Sequence, residues 1–200
     1  MRDRILTESL QLMNEQGLNF TLADLATQLA VSKRRIYQYF SSKEALINAV
    51  LDEILDDLQQ QVATIVGRSG EGLVPQLKSL MVTSPKALGP LSVVMIHDVK
   101  RQMPEAWLKF ENFFQDKWAH IESLIRRGEE EGLFRDVSLD ILRQMYRGSI
   151  NELGDYRFLA RSGSTFQNTM ERTVDILIFG VIAAPSRCSA CADGGCGCEV

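Results

Sequence analysis

The sequence predicts an all-α protein made of helices in series. Apolar residues recur at three- and four-residue spacing along most of the chain, which is the pattern of amphipathic helices. Sustained alternation of apolar and polar residues, the pattern of half-buried strands, is absent from the sequence. Glycines, prolines and capping residues divide the 200 residues into about nine segments of helical length.

The first three predicted helices are short and are recognised by their ends. The first covers 3–16 and stops at Gly17. Thr21 and Asp24 have the spacing of a capping box and begin a helix that ends near residue 29. After a turn at residues 30 and 31, Ser32 caps a third helix over 33–40. These segments predict a helix-turn-helix packed against a preceding helix.

The later helices are longer. The motifs Ser-Ser-Lys-Glu at 41–44 and Ser-Thr-Phe-Gln at 164–167 predict two more capping boxes. Pro104 suits the first turn of a helix, and Pro185 stops the last one. The predicted helices are 42–66, 74–81, 88–101, 104–131, 138–159 and 165–183. Three segments follow: a helix-turn-helix DNA-binding domain at 1–47, a ligand-sensing and dimerisation domain at 48–184, and a flexible cysteine-rich tail at 185–200.

Composition places the chain among ordinary globular proteins. It is 45% hydrophobic and 24% charged, with a net charge of −4. Without an apolar run of 18 residues or the apolar stretch of a signal peptide, we expect a cytoplasmic protein that does not interact with membranes. The sequence also lacks a phosphate-binding loop, a catalytic triad and a cofactor motif, so we expect no enzyme activity and no required cofactor.

The charge is unevenly distributed. Residues 1–50 carry a net charge of +1, and the remaining 150 residues carry −5. Between Asp24 and Glu44 there are four positive charges and no negative one. A local basic patch on an acidic body is what docking on phosphate at one end would require, although a solvated charged face has the same composition.

The third helix has two different sides. At 100° per residue, Ile36, Tyr39 and Phe40 cluster on the inward side. The outward side carries Lys33, Arg34, Tyr37 and Gln38, with Arg35 on the flank. Basic and amide side chains in this arrangement reach guanine or adenine edges in a major groove, and a tyrosine hydroxyl can donate to a phosphate. Thr21 and Lys43 begin the neighbouring helices, whose N-termini attract phosphate.

These motifs resemble the TetR family of bacterial transcriptional regulators. The resemblance lies in Phe-Thr-Leu-Ala-Asp-Leu-Ala at 20–26, Val-Ser-Lys-Arg-Arg-Ile-Tyr-Gln-Tyr-Phe at 31–40 and Ser-Lys-Glu-Ala-Leu at 42–46. It covers residues 4–50 closely, and Gly-Glu-Glu-Glu-Gly-Leu-Phe at 128–134 is similar to a helix end common in the family. The resemblance implies a three-helix DNA-binding domain and an all-α regulatory domain whose last two helices form a dimer's four-helix bundle.

The resemblance also implies roles for individual residues. By position, Thr21, Tyr37 and Lys43 match the family's phosphate contacts. Base contacts are implied for Lys33, Arg34, Arg35 and Gln38. Two departures matter: Ala30 stands where the family often has glycine, and the Arg34-Arg35 pair replaces residues that are commonly smaller. The operator sequence therefore cannot be carried over from the family.

Broad apolar faces near the end of the chain predict a homodimer. They comprise Leu139, Leu142, Met145, Tyr146, Ile150 and Leu153 in one helix and Met170, Val174, Leu177, Ile178 and Val181 in the other. A two-fold dimer would place two recognition helices about 34–36 Å apart on a near-palindromic site in double-stranded DNA. The alternative is that these faces close the core of the monomer.

The effector is the least defined part of the prediction. The family resemblance implies a small-molecule pocket among the middle helices, although an aromatic and Met stripe at helical spacing is more often part of a core. The pocket candidates are Met95, His97, Met103, Trp107, Phe110, Phe114 and Trp118, with Met81 and Leu88 as further members. The expected function is a repressor that an effector releases from DNA, through movement of the helix that begins near Ser42.

The tail is unusual because it contains all four cysteines of the chain. Cys188, Cys191, Cys196 and Cys198 lie within the last 13 residues, among glycines. Four thiolates at this spacing could bind a thiophilic ion as effector, such as Zn²⁺, Cu⁺, Cd²⁺ or arsenite, or could form reversible disulfides. They could equally have no role. The alternative functional class is a metal-binding or thiol-redox protein in which this tail is the primary function.

Overall fold

The computed structural model describes residues 1–68, 70–86, 91–153 and 156–182, and it confirms the all-α prediction. In the described residues, ten α-helices follow one another, and a 3₁₀ turn (Gly17–Asn19) lies after the first. They are α1 (Arg2–Gln16), α2 (Leu22–Leu29), α3 (Lys33–Tyr37), α4 (Lys43–Val66), α5 (Leu73–Met81), α6 (Val93–Gln102), α7 (Pro104–Glu130), α8 (Leu139–Leu153), α9 (Tyr156–Ser162) and α10 (Phe166–Val181). No helix among these residues has the length and apolar character needed to cross a membrane.

Most predicted helices lie where the structure has them, with three differences. The helix predicted over 88–101 begins at Val93, five residues later, because Ser92 is its capping residue. Helix α3 ends at Tyr37, three residues before the predicted end, and residues 38 and 39 form a turn. The segment 138–159, predicted as one helix, is described as the two helices α8 and α9, with residues 154 and 155 outside the described part. Leu88 and the four tail cysteines also lie outside the described residues.

One of the three predicted capping boxes is confirmed and two are wrong. Thr21 accepts from the N–H groups of Ala23 and Asp24, and the Asp24 carboxylate accepts from the Thr21 N–H. The other two caps lie one residue later than predicted, since Ser42 and Thr165 are the capping residues. Glu and Gln then fall at the second helical position instead of the third, where a side chain cannot close the box.

The end of α7 explains the glycine-rich motif at 128–134. Gly132 has a φ of +71°, which turns the chain back, and the N–H groups of Leu133 and Phe134 both donate to the Gly128 carbonyl. The buried Phe134 ring then lies directly on Gly128, so that a Cβ there would be 2.0 Å from the ring. The motif is a structural cap in which only glycine leaves room for Phe134.

The three N-terminal helices pack directly against later parts of the chain. Helix α1 contacts α2, α4 and also α6, and α6 contacts the 3₁₀ turn. Ile5, Leu10, Leu25, Ile36 and Leu46 are almost completely buried in the N-terminal core. Helix α4 continues from this core into the rest of the molecule, where its second half contacts α5 and α7. Two helices, α4 and α6, therefore connect the N-terminal helices to the others.

The apolar residues predicted for dimerisation mostly close the core of this chain. Leu142, Tyr146 and all five predicted residues of α10 are buried. The large apolar side chains left exposed on these helices include one predicted residue, Met145 of α8, together with Ile141 of α8 and Ile176 and Phe179 of α10. We call these four residues the C-terminal apolar stripe. The helical period was read correctly, but one sequence does not tell which of two apolar faces the monomer buries.

Candidate nucleic-acid interface

Helix α3 presents a cationic surface on a buried anchor. Ile36 is fully buried and fixes the helix to the N-terminal core, whereas Lys33, Arg34 and Gln38 are exposed and Tyr37 is 49% exposed. Within the described residues neither Lys33 nor Arg34 has an ion-pair partner. Their charges are therefore available to an anionic ligand.

Arg35 is held along the end of the helix. Its guanidinium donates to the Gln38 side-chain oxygen at 2.8 Å and lies 5.4 Å from the centre of the Tyr39 ring. Tyr39 was predicted to face inward, but it is 39% exposed because the helix ends before it. Phe40 makes the predicted inward contact and is buried. The exposed side of α3 thus carries a preformed Arg35–Gln38 pair beside the unpaired Lys33 and Arg34.

Thr21 and Asp24 form a closed pair at the start of α2. The Thr21 hydroxyl donates to the Asp24 carboxylate at 2.7 Å. The hydrogen bonds from the Thr21 hydroxyl and N–H are the main reason that the pKa of Asp24 is lowered. Asp24 therefore remains ionised and fixes the exposed N-terminus of α2 beside α3.

Lys43 points toward the protein in this structure. Its ammonium donates to the Leu18 carbonyl at 2.5 Å and lies 4.6 Å from the centre of the Phe20 ring. Desolvation lowers the pKa of Lys43, and the nearby Asp24 carboxylate opposes that shift. Sequence spacing could not predict this bond, because Leu18 lies 25 residues earlier in the chain.

Leu18 is also held by α6, through its N–H group. The Leu18 N–H donates to the Asp98 carboxylate at 2.9 Å, and Arg101 donates to the other oxygen of that buried carboxylate. Gly17, at a φ of +66°, makes this approach possible, since a Cβ there would be 2.2 Å from the Asp98 oxygen. The contact of Asp98 with the 3₁₀ turn has no signal in the sequence.

The predicted effector residues differ widely in burial. Trp107 stacks on Phe110 at 5.9 Å and lies 6.5 Å from Phe114, forming an aromatic row along α7. Met95, Phe110 and Trp118 are buried, Met103 and Trp107 are half-buried, and His97 and Phe114 are exposed. A cleft of about 720 Å³ lies elsewhere, between α4, the end of α5 and the start of α10, and none of these residues lines it. In the described part of the chain, no cluster of three or more acidic, histidine or cysteine side chains is arranged to hold a metal.

The sequence of the N-terminal helices matches a family of known proteins. A family model described as bacterial regulatory proteins, tetR family, matches residues 5–50, which include α1, α2, α3 and the start of α4. A curated relative from Bacillus subtilis, the HTH-type transcriptional regulator YvaF, is 29% identical over 183 residues. That alignment covers 92% of this chain and 96% of the relative. The chain belongs to the tetR family of bacterial regulatory proteins.

Solved structures confirm the fold over nearly the whole chain. The ketosteroid transcriptional regulator KstR2 of Mycobacterium tuberculosis has a TM-score of 0.72 and 21% identity, covering 92% of this chain and 95% of that one. A transcriptional regulator from Saccharomonospora viridis in complex with choline has a TM-score of 0.69 and 19% identity, covering 92% and 98%. The family match and the curated relative, and not these folds, make this tetR-family protein a DNA-binding transcriptional regulator and not an enzyme.

Proposed function

We propose that this tetR-family regulator is a homodimeric repressor that leaves a near-palindromic operator when an effector binds its regulatory helices. The observation that carries the proposal is the exposed cationic face of α3, where Lys33 and Arg34 have no ion-pair partner among the described residues. Exposed, unpaired charges on a rigidly anchored helix break no ion pair when they bind phosphate or base edges, and their binding releases counterions from the DNA.

The DNA contacts follow from where each side chain lies. Lys33, Arg34 and the Arg35–Gln38 pair contact base edges in the major groove, and Tyr37 donates to a phosphate. Thr21 and Lys43 contact the backbone on either side through the N-termini of α2 and α4. The Lys43 ammonium would exchange the Leu18 carbonyl for a phosphate oxygen, which is the stronger acceptor because it is charged.

Dimerisation uses the C-terminal apolar stripe. Phe179 is 82% exposed and Ile176 is 73% exposed, and both lie on the helix that packs against α8. Gly148 and Gly180 lie within these two helices, and a Cβ at either would meet nothing within 4 Å. Glycine inside a helix costs about 1 kcal/mol relative to alanine, so its presence there is consistent with close approach of a second copy.

The regulatory helices act on DNA binding through α6 as well as α4. One residue, Leu18, joins Asp98 of α6 to Lys43 at the start of α4, through its N–H and its carbonyl group respectively. Asn14 of α1 also accepts from the Ser92 N–H at the start of α6. A shift of α6 would therefore move the 3₁₀ turn and the Lys43 side chain together. Effector binding would shift the population between a dimer that fits DNA and one that does not.

Selection from random-sequence DNA with the purified protein tests this function. We expect enrichment of a two-fold site whose half-sites are centred about one helical turn apart, and transcription from a promoter containing that site should fall when the protein is added. Enrichment of a single asymmetric half-site would refute the dimer. Increased transcription from the promoter would refute repression.

A second proposal concerns the tail, and its basis is the clustering of all four cysteines within residues 188–198. There a thiophilic metal ion or metalloid would act as effector, bound by Cys188, Cys191, Cys196 and Cys198. Replacing all four by serine should leave operator binding intact and remove any release caused by Zn²⁺, Cd²⁺, Cu⁺ or arsenite. Release that persists in this variant would place the sensor elsewhere.

A further inference from the structure

A buried lysine lies in the middle of the regulatory helices. Lys117 of α7 is only 5% exposed. Its ammonium donates to the Tyr146 hydroxyl of α8 at 3.3 Å, and that hydroxyl donates to the Met81 carbonyl at the end of α5 at 2.5 Å. An ammonium has three N–H donors, and this arrangement supplies one neutral acceptor at a long distance. Burial lowers the pKa of Lys117 to about 8, so the group is still mainly charged at neutral pH.

No carboxylate of the described residues neutralises this charge. Helix α5 has no acidic residue, and the acidic residues of α8, Asp140 and Glu152, are exposed. On α7 itself Asp116 is exposed, and Glu122 pairs with Arg126. Elsewhere in the described chain Asp98 is the one buried acid, and it is bonded to the Leu18 N–H. Burying a charge without a counter-charge costs several kcal/mol, so a cation kept in this condition suggests a functional role.

The surroundings of Lys117 combine aromatic surface with a second cation. The Trp118 ring stacks on the Tyr146 ring, with centres 6.3 Å apart, and the Arg143 guanidinium lies 5.6 Å from the Trp118 ring centre. Phe113, one turn earlier on the same face of α7, is buried. Arg143 is only half-buried and is therefore the most solvent-exposed member of this group. A ligand that fits these neighbours has one negative group and an apolar body.

We propose that Lys117 and Tyr146 form the anchor for an organic carboxylate with an aliphatic or aromatic body, and that this class of compound is the effector. The inference rests on the proposed function, in which an effector controls DNA binding. The ligand carboxylate takes the acceptor position that Tyr146 now fills, and Tyr146 turns its proton from the Met81 carbonyl to the ligand. Arg143 supplies additional positive charge, and the body of the ligand packs against Trp118.

Binding at this position has a direct structural consequence. The chain from Lys117 through Tyr146 to the Met81 carbonyl ties α7, α8 and α5 together. A ligand inserted into it removes the tie to α5 and separates α7 from α8. Helix α7 also contacts α4 and α6, the two helices that reach the N-terminal core. Displacement of α7 is therefore transmitted toward the 3₁₀ turn and Lys43 by packed helices.

The test compares octanoate, decanoate and 4-phenylbutyrate with their amides, which have the same bodies and no charge. Binding to the full chain is measured by calorimetry at up to 1 mM, and operator affinity is measured by fluorescence anisotropy. We expect at least one acid to bind and its amide not to bind. The variant Lys117→Met should lose about 10- to 100-fold in affinity for that acid, and Tyr146→Phe should lose less. The matched control is Lys109→Met, because Lys109 is an exposed lysine of the same helix, paired with Asp52.

The outcomes separate this site from the proposed function. Absence of acid binding to the wild type, equal binding of acid and amide, or full affinity in Lys117→Met would each overturn the site. Acid binding that depends on Lys117 but leaves operator affinity unchanged would keep the site and refute its role as effector. If Lys117→Met does not fold, Tyr146→Phe decides, since full affinity of that variant for the acid would also overturn the site.

Discussion

The two surfaces that this protein leaves open differ in chemical character. At α3 the exposed side chains are Lys33, Arg34 and Tyr37, which remain well hydrated in water and lose little by being exposed. On α8 and α10 the exposed side chains are Met145, Ile176 and Phe179, which are unfavourable in water. The first surface therefore suits a charged ligand that binds reversibly, and the second suits a partner that stays bound.

The largest expected effect is on the apolar surface. Phe179→Glu places a charge on each side of a two-fold interface, so each subunit adds the same free-energy cost to dimerisation. We therefore expect a monomer at micromolar concentration. Light scattering after gel filtration measures it. Leu108→Glu is the control, because Leu108 is 55% exposed on α7 and should leave the mass unchanged. A Phe179→Glu protein of unchanged mass would show that the stripe has another use.

On the charged surface the effect should appear in DNA affinity and leave the mass unchanged. Arg34→Ala should weaken operator binding by about 1–3 kcal/mol, and Gln38→Ala should relax the preference at one base pair. Anisotropy titrations at several salt concentrations measure both. Arg68→Ala, which removes an exposed arginine between α4 and α5, is the control. Full affinity in Arg34→Ala would remove α3 as the reading helix.

A buried cation should behave differently from these exposed ones. The pKa of Lys117 is lowered to about 8 in the folded protein, whereas an unfolded lysine titrates near 10.5. Between these values the unfolded chain binds one more proton than the folded one, so the free energy of unfolding should rise with pH from about 8 to 10. Urea unfolding across this range measures it. The rise should be smaller in Lys117→Met, where the lowered pKa of Lys43 still contributes, and an identical pH profile would show that Lys117 is not desolvated.

The contact between the N-terminal helices and α6 predicts a smaller effect. Asp98→Ala leaves the Leu18 N–H buried without its acceptor, which should cost about 1–3 kcal/mol of stability and weaken operator binding through Lys43. Arg101→Ala removes the exposed partner of the same carboxylate and should change neither quantity. Unfolding and DNA titrations on both variants measure this. Equal effects of the two substitutions would refute the Leu18 connection.

The smallest effect concerns the turn of the helix-turn-helix. Ala30 has a φ of 53°, and it is the one residue other than glycine with a positive φ in the described chain. The left-handed conformation costs a residue with a side chain about 1–2 kcal/mol, and glycine avoids this cost. Part of the gain in stability is lost again, because glycine makes the unfolded chain more flexible. Ala30→Gly should therefore raise the melting temperature by about 2 °C without changing DNA affinity. A lower melting temperature would show that the turn is not strained.

The sequence by itself determined the class of the fold and the position of the reading helix. Both depend on interactions between residues a few positions apart, namely helical periodicity, the Thr21–Asp24 box and the Ser32 cap, and such interactions are visible as spacing. The short motif at 128–134 was also visible, although its physical reason, the Phe134 ring lying on Gly128, was not.

Only the tertiary structure decided which surfaces remain open and which groups meet. It buried Val174 and Ile178 and exposed Ile176 and Phe179, a choice that depends on where α8 and α5 lie. Three contacts join residues far apart in the chain: Leu18 with Asp98, Lys43 with Leu18, and Lys117 with Tyr146. Helical spacing says nothing about such pairs, because their distance is set by how whole helices pack.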